Sequence, residues 1–171
     1  MKIDKLLTFF GKEFKGKELN EFFRKDNFNV IKEIKNYMKT DLYEGAESVV
    51  YASNEENGYS LVFEDELDYL NIEDGNYGES GNYYLSCIHF YSQGKDGFNV
   101  YKDKLINGIK MINRREEIRT LMKKPYKSHN FLDEDIWGNI NGFRVFVNYN
   151  KGQNTPDMIS IMKENSSLPQ L

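Results

Sequence analysis

Two hydrophobic periods divide this chain. In "GKELNEFFRKDN" the apolar residues Leu19, Phe22 and Phe23 stand at i, i+3 and i+4, and Ile3, Leu6, Leu7 and Phe10 repeat that spacing. Such spacing gathers side chains on one helix face, so residues 1–40 should hold two short amphipathic helices. After Asp41 the runs become β-branched and aromatic. "SVVYAS" and "YSLVFE" flank "NEENG", whose Asn57-Gly58 pair suits the positive φ of a tight turn, which predicts a hairpin. "YYLSCIHFYS" reads as a strand and "INGIKMIN" as a shorter one. "NRREEIRTLMKKP" reads as a helix near 114–124, with Asn113 as cap, Glu116 at the capping-box position and Pro125 as stop. Its buried stripe would be Ile118, Leu121 and Met122. "GFRVFVNY" and "DMISIMKE", joined by a Gly, Asn and Pro loop, predict a second hairpin.

Helices first and strands afterwards give an α+β fold. The expected architecture is an antiparallel sheet packed with the N-terminal helices and one inserted helix. Leu61, Phe63, Leu85, Ile118, Leu121, Val145 and Val147 are the expected core. The Asn-rich stretch from Asp65 to Asn82 contains three glycines and reads as a long loop, which in a compact domain is usually functional or disordered.

Length and composition add bounds. At 171 residues, residues 1–171 are expected to form one domain. Twelve Phe and twelve Tyr are too many aromatics for a disordered chain, and some of them could serve a binding surface. Cys87 is the sole cysteine, so no intramolecular disulfide can form. The N-terminal apolar run is too short for a signal-peptide core, and nowhere do eighteen apolar residues run together. The expectation is a cytoplasmic protein that does not enter a membrane.

Charge changes the picture more. The net charge of −4 conceals three blocks. Residues 1–40 carry ten basic and six acidic groups, and residues 95–171 carry thirteen and nine. Between Asp41 and Gly94 lie twelve Asp or Glu and no Lys or Arg.

Candidate chemistry is sparse. On a strand, Cys87 and His89 would face the same way and could serve a metal or a nucleophile, but a zinc site needs three or four ligands and no partner cluster is visible. A calcium loop starting at Asp68 would place Leu70, Ile72 and Glu73 where ligands and the turn glycine belong. The glycines of "DGNYGESG" fit neither phosphate-binding pattern. "LDED" at 132–135 is weak support for a metal-dependent nuclease. Arg114, Arg115, Arg119, Lys123 and Lys124 on the inserted helix are interrupted by Glu116 and Glu117, and read as a solvated face rather than a nucleic-acid reader. The residues therefore point to no enzyme, no cofactor, no metal and no direct nucleic-acid binding.

The acidic block suggests a partner surface instead. Solvated loop decoration is the plain alternative. Excluding every base over such a length nevertheless concentrates self-repulsion, which a basic partner would relieve. Glu64, Asp65, Glu66, Asp68, Glu73, Asp74 and Glu79 would supply charge, with Tyr69 and Tyr77 as anchors.

The segments "LSCIHFYSQGKDGFNVYKDKLINGIKMINRREEIRTLMKKPYKS", "IWGNINGFRVFVNYN" and "MISIM", spanning about residues 85–162, resemble bacterial immunity proteins of contact-dependent growth inhibition and related polymorphic toxin systems. That resemblance implies a protein that binds and neutralises a cognate toxin domain in a toxin–immunity complex. Such toxins are often nucleases and often basic, and an acidic surface would occlude the active site or the substrate groove. A non-toxin interaction or scaffold protein of the same fold is the alternative. Neither reading fixes the oligomeric state.

Overall fold

The computed structural model describes residues 3–39, 48–72, 81–129, 133–152 and 154–164. Within them the chain forms five α-helices and a seven-stranded sheet, in which every pairing is antiparallel. The helices are α1 (Ile3–Leu7), α2 (Lys17–Arg24), α3 (Val30–Tyr37), α4 (Glu66–Tyr69) and α5 (Arg115–Met122). The strands are β1 (Val49–Asn54), β2 (Tyr59–Asp65), β3 (Tyr83–Tyr91), β4 (Lys127–His129), β5 (Glu134–Ile140), β6 (Phe143–Tyr149) and β7 (Pro156–Lys163). Their order across the sheet is β1-β2-β3-β7-β6-β5-β4. This is the expected α+β arrangement, with three N-terminal helices where periodicity indicated two.

One sheet face carries most of the core. Alternation along the strands sends Val50, Ala52, Leu61, Phe63, Leu85, Ile88, Val145, Val147, Ile159 and Ile161 to that face, where they meet Leu6, Phe9, Leu19, Phe23, Val30 and Ile34 of the N-terminal segment. Aromatic rings join the two layers: Phe23 lies 5.9 Å and Phe28 5.6 Å from Tyr59, and Phe14 6.3 Å from Phe63. The other face holds a smaller buried cluster of Val62, Cys87, Ile136, Phe146 and Met162. A register shift after Val62 lets Leu85 face one layer while Cys87 faces the other.

Local chemistry explains the element ends. The Asn29 carboxamide accepts the Lys32 N–H at 3.1 Å and starts α3. The β1–β2 hairpin turns at Gly58, which has φ +74 and a backbone amide that reaches the Asn54 carbonyl at 2.9 Å. Helix α5 begins one residue later than expected. Glu117, rather than Glu116, takes the Arg114 N–H at 2.7 Å, while Asn113 is occupied with the Lys110 amide. "INGIKMIN" forms no strand, because Asn107 (φ +52) and Gly108 (φ +80) both take left-handed backbone, and a 3-10 turn results.

The stripe of α5 also differs from expectation. Its sheet-facing positions are Arg115, Ile118, Arg119 and Met122, an i, i+3, i+4, i+7 set. Leu121 is 44% exposed, because the two arginines turn the helix toward Asp135 on β5. Six of the seven expected core residues are fully buried, and Leu121 is the exception. Ile118→Ala should therefore cost about 2–5 kcal/mol, and Leu121→Ala well under that, in urea unfolding followed by circular dichroism.

Asp135 lies at the centre of a polar lock. Arg115 donates to it from Nε (3.0 Å) and Nη2 (2.7 Å), and Arg119 from Nε and Nη2, both at 2.8 Å. Ser128 Oγ donates at 2.6 Å and the Tyr149 hydroxyl at 3.3 Å. Burial alone would raise the Asp135 carboxyl, but the hydrogen bonds from Arg119, Arg115 and Ser128 outweigh it and hold the group well below the usual carboxylate range.

Candidate functional site

The described acids of the stretch that begins at Glu64 do not form one surface. Glu64 and Asp65 are 1% and 0% exposed, which corrects their assignment to a charged exterior. They are the last residues of β2, and that strand is paired on both sides, by β1 and by β3. Asp65 has a structural task as well, since its carboxylate accepts the Leu67 N–H at 3.1 Å and caps α4.

Glu66, Asp68 and Tyr69 follow on α4, all half-buried. Glu66 accepts from the Tyr84 hydroxyl at 3.2 Å and from the Asn82 carboxamide at 3.1 Å. Burial and that contact push the Tyr84 phenol upward. Tyr69 stacks on Tyr84 with ring centres 5.5 Å apart, and Lys163 lies 5.7 Å over its ring and donates to its hydroxyl at 3.3 Å. The tyrosine taken as an anchor is thus already tied to β3 and β7. Leu70 and Ile72, immediately beyond, are exposed apolar residues. Glu73, Asp74, Tyr77 and Glu79 lie outside the described residues.

A second acidic surface forms at the opposite end of β2, where the chain turns from β1. Glu55 and Glu56 of that turn meet Asp26 and Glu33 around a groove of about 330 Å³. Beside it a second groove, of about 300 Å³, is lined by Asp26, Glu56, Tyr59, Tyr101, Lys102 and Asp103. Among the described residues, no salt bridge engages Asp26, Glu33, Glu55 or Glu56. Sequence reasoning missed this surface because Asp26, Glu33 and Asp103 belong to blocks with a basic balance. Only the Glu55-Glu56 pair could have signalled it.

The packing of Gly58 builds the second groove. A Cβ there would run into the Asn99 carbonyl oxygen and stand 2.6 Å from the Tyr101 nitrogen and 2.8 Å from the Val100 carbonyl carbon. The 99–101 segment therefore lies directly against the hairpin turn. Asn99 fastens it, donating its N–H to the Glu55 carbonyl at 2.9 Å and its side chain to the Glu56 carbonyl at 3.2 Å.

Cys87 and His89 face the same way, as strand alternation requires, with Sγ and Nδ1 3.8 Å apart. His89 Nδ1 lies 2.8 Å from Ser160 Oγ. Burial pushes the Cys87 thiol up and lowers His89 to about 4, so at neutral pH the pair is thiol and uncharged imidazole. His89 and Ser160 line a pit of about 40 Å³ together with Glu134, Phe146 and Asn148. The last two acids of "LDED" diverge. Glu134 is bound to Asn148 on this face, and Asp135 to the arginines on the other. Among the described residues no group of three His, Cys, Asp or Glu is placed to hold a metal, and no helix is long and apolar enough to cross a membrane.

No protein-family model, curated protein or solved structure gives a match to this chain.

Proposed function

We propose that this protein is an immunity-type inhibitor, which binds a basic cognate toxin domain, of nuclease type, through acidic surfaces and blocks its active site or substrate groove. The observation that carries this reading is the segregation of charge, twelve carboxylates and no base from Asp41 to Gly94, between two flanks of opposite balance. A negative surface speeds encounter with a positive partner and rejects wrong ones.

Acidic side chains gather at two places, the second of them joined by Asp26 and Glu33 from the N-terminal block. At one end of β2, α4 holds Glu66 and Asp68 beside exposed Leu70 and Ile72, a mixture of apolar centre and charged rim that suits a protein interface. At the other end Asp26, Glu33, Glu55 and Glu56 surround an open groove. The seven residues of β2 separate the two by roughly 20 Å at the usual strand rise. Glu64 and Asp65 are not part of the proposed surface.

The direct test is co-expression with the C-terminal domain of the reading frame immediately upstream, scoring cell survival and co-purification. Rescue with a one-to-one complex is the expected outcome. Toxicity without rescue, or a harmless neighbour, would favour the non-toxin interaction protein. Once a complex is in hand, Glu55→Lys, Glu56→Lys and Asp68→Lys together should slow association about tenfold or more at low salt. The melting temperature should hold and the difference should shrink at high salt. Stopped-flow rates unaltered at low salt would remove the electrostatic basis of the proposal.

A further inference from the structure

The groove beside Gly58 contains an unusual feature, a buried hydroxyl without a partner. Tyr101 is 4% exposed, and among the described residues nothing hydrogen-bonds its phenol oxygen. Buried polar groups normally find a partner, because leaving one unmade forfeits its hydration. Tyr101 lines the groove together with Asp26, Glu56, Asp103 and Tyr59. Tyr59 and Tyr101 meet edge to face at 6.4 Å, and Phe90 supports Tyr101 from behind at 4.6 Å. Burial, with Asp103 and Asp26 nearby, pushes the Tyr101 phenol upward, so it stays neutral and keeps an acceptor lone pair.

We propose that this groove receives an arginine side chain of the protein partner, with Asp26, Glu56 and Asp103 as carboxylate acceptors at the rim and the Tyr101 hydroxyl as the acceptor at the floor. The inference rests on the inhibitor reading and names one contact within it. Three carboxylates and a phenol spread around one opening match a planar group with five N–H donors better than they match a compact ammonium. A volume of about 300 Å³ admits the whole side chain, stem included. Lys102 is the one base among the described lining residues, and its charge opposes that of a bound guanidinium.

The site is also built to keep its shape. The close approach at Gly58, the two bonds from Asn99 and the Tyr101 N–H donated to the Tyr91 carbonyl at 3.0 Å fix the segment that carries Tyr101. A preformed receptor loses little freedom when it is filled.

The test is a proton–nitrogen NMR titration of the full chain with N-acetyl-arginine amide, with the lysine and citrulline analogues alongside. The arginine probe should shift the amides of Gly58, Asn99, Tyr101 and Lys102. The lysine probe should bind more weakly, and the uncharged citrulline probe should leave these amides in place. Tyr101→Phe should weaken the arginine probe roughly tenfold, the loss of one hydrogen bond to a charged group. The same variant should melt at an equal or higher temperature, because it removes an unpaired buried hydroxyl. Lys102→Met should strengthen binding. Equal response to lysine and arginine, shifts confined to residues 66–72, or a Tyr101→Phe variant that binds like the parent would each overturn the proposal. Co-expression rescue does not depend on these probes, so a failed titration would remove the groove and leave the inhibitor reading to its own test.

Discussion

Replacing Asp135 with alanine is expected to cost about 3–5 kcal/mol of folding stability, the range for removing one partner of a buried ion pair. The substitution leaves Arg115 and Arg119 facing each other across an empty position and strips the acceptor from Ser128 and Tyr149. Urea unfolding should show a lowered midpoint, and hydrogen exchange in α5 should quicken first, because the lock ties that helix to β5. Exchanging the whole set, Asp135→Leu with Arg115→Met and Arg119→Met, should recover much of the loss, since no stranded charge remains. A single substitution that leaves the midpoint unmoved would mean that the lock contributes nothing.

Acid should dismantle the fold in two stages with distinct owners. His89 has its folded pKa lowered from 6.5 to about 4, so the unfolded chain binds the proton more readily. Its contribution is complete above pH 6.5 and is lost as pH falls through that window to about 4. Asp135 acts below that. Its folded value lies beneath the ordinary 3.8, so its contribution is complete above 3.8 and disappears only under stronger acid. His89→Gln should flatten the upper part of a stability–pH curve and Asp135→Asn the lower part. Curves in which both variants parallel the parent would contradict these assignments.

The second large effect is expected from Gly58→Ala. Left-handed backbone costs a residue with a Cβ about 1–2 kcal/mol. The new methyl would also meet three backbone atoms of residues 99–101, none of which can swing aside as a side chain could. Overpacking of this kind adds about 1–3 kcal/mol. Thermal unfolding should therefore shift well beyond the effect of backbone conformation alone. In the folded variant the amides of Asn99 and Tyr101 should move and Tyr101 should draw away from Asp26. An unchanged melting temperature would show that the turn and the segment are not in contact.

The hairpins were readable because their signals are local. Asn57-Gly58 marks the β1–β2 turn, and alternation in "YSLVFE" and "GFRVFVNY" places Leu61, Phe63, Val145 and Val147 correctly. What escaped depends on distant residues. Arg115 and Arg119 look like a solvated helix face until Asp135, well along the chain, is seen opposite them. The same rotation exposes Leu121. Counting charges identified the acidic block but could not tell that strand pairing buries Glu64 and Asp65. Nor could it join Asp26, Glu56 and Asp103, which come from three separate blocks, two of them basic in balance, and meet because the 99–101 segment folds against a glycine.

The order of the strands bears on when the protein can be ready. β3 and β7 are neighbours in the middle of the sheet, although Tyr91 and its partner Met158 are far apart in the chain. The strands from β1 to β3 can pair as they are synthesised, but the outer edge of β3 stays open, its N–H and C=O groups unpaired, until β7 arrives. The partial sheet is then a template for pairing with another chain. The central pairing must therefore wait for synthesis through Lys163, so the pace of synthesis between β3 and β7 sets how long that edge lies open.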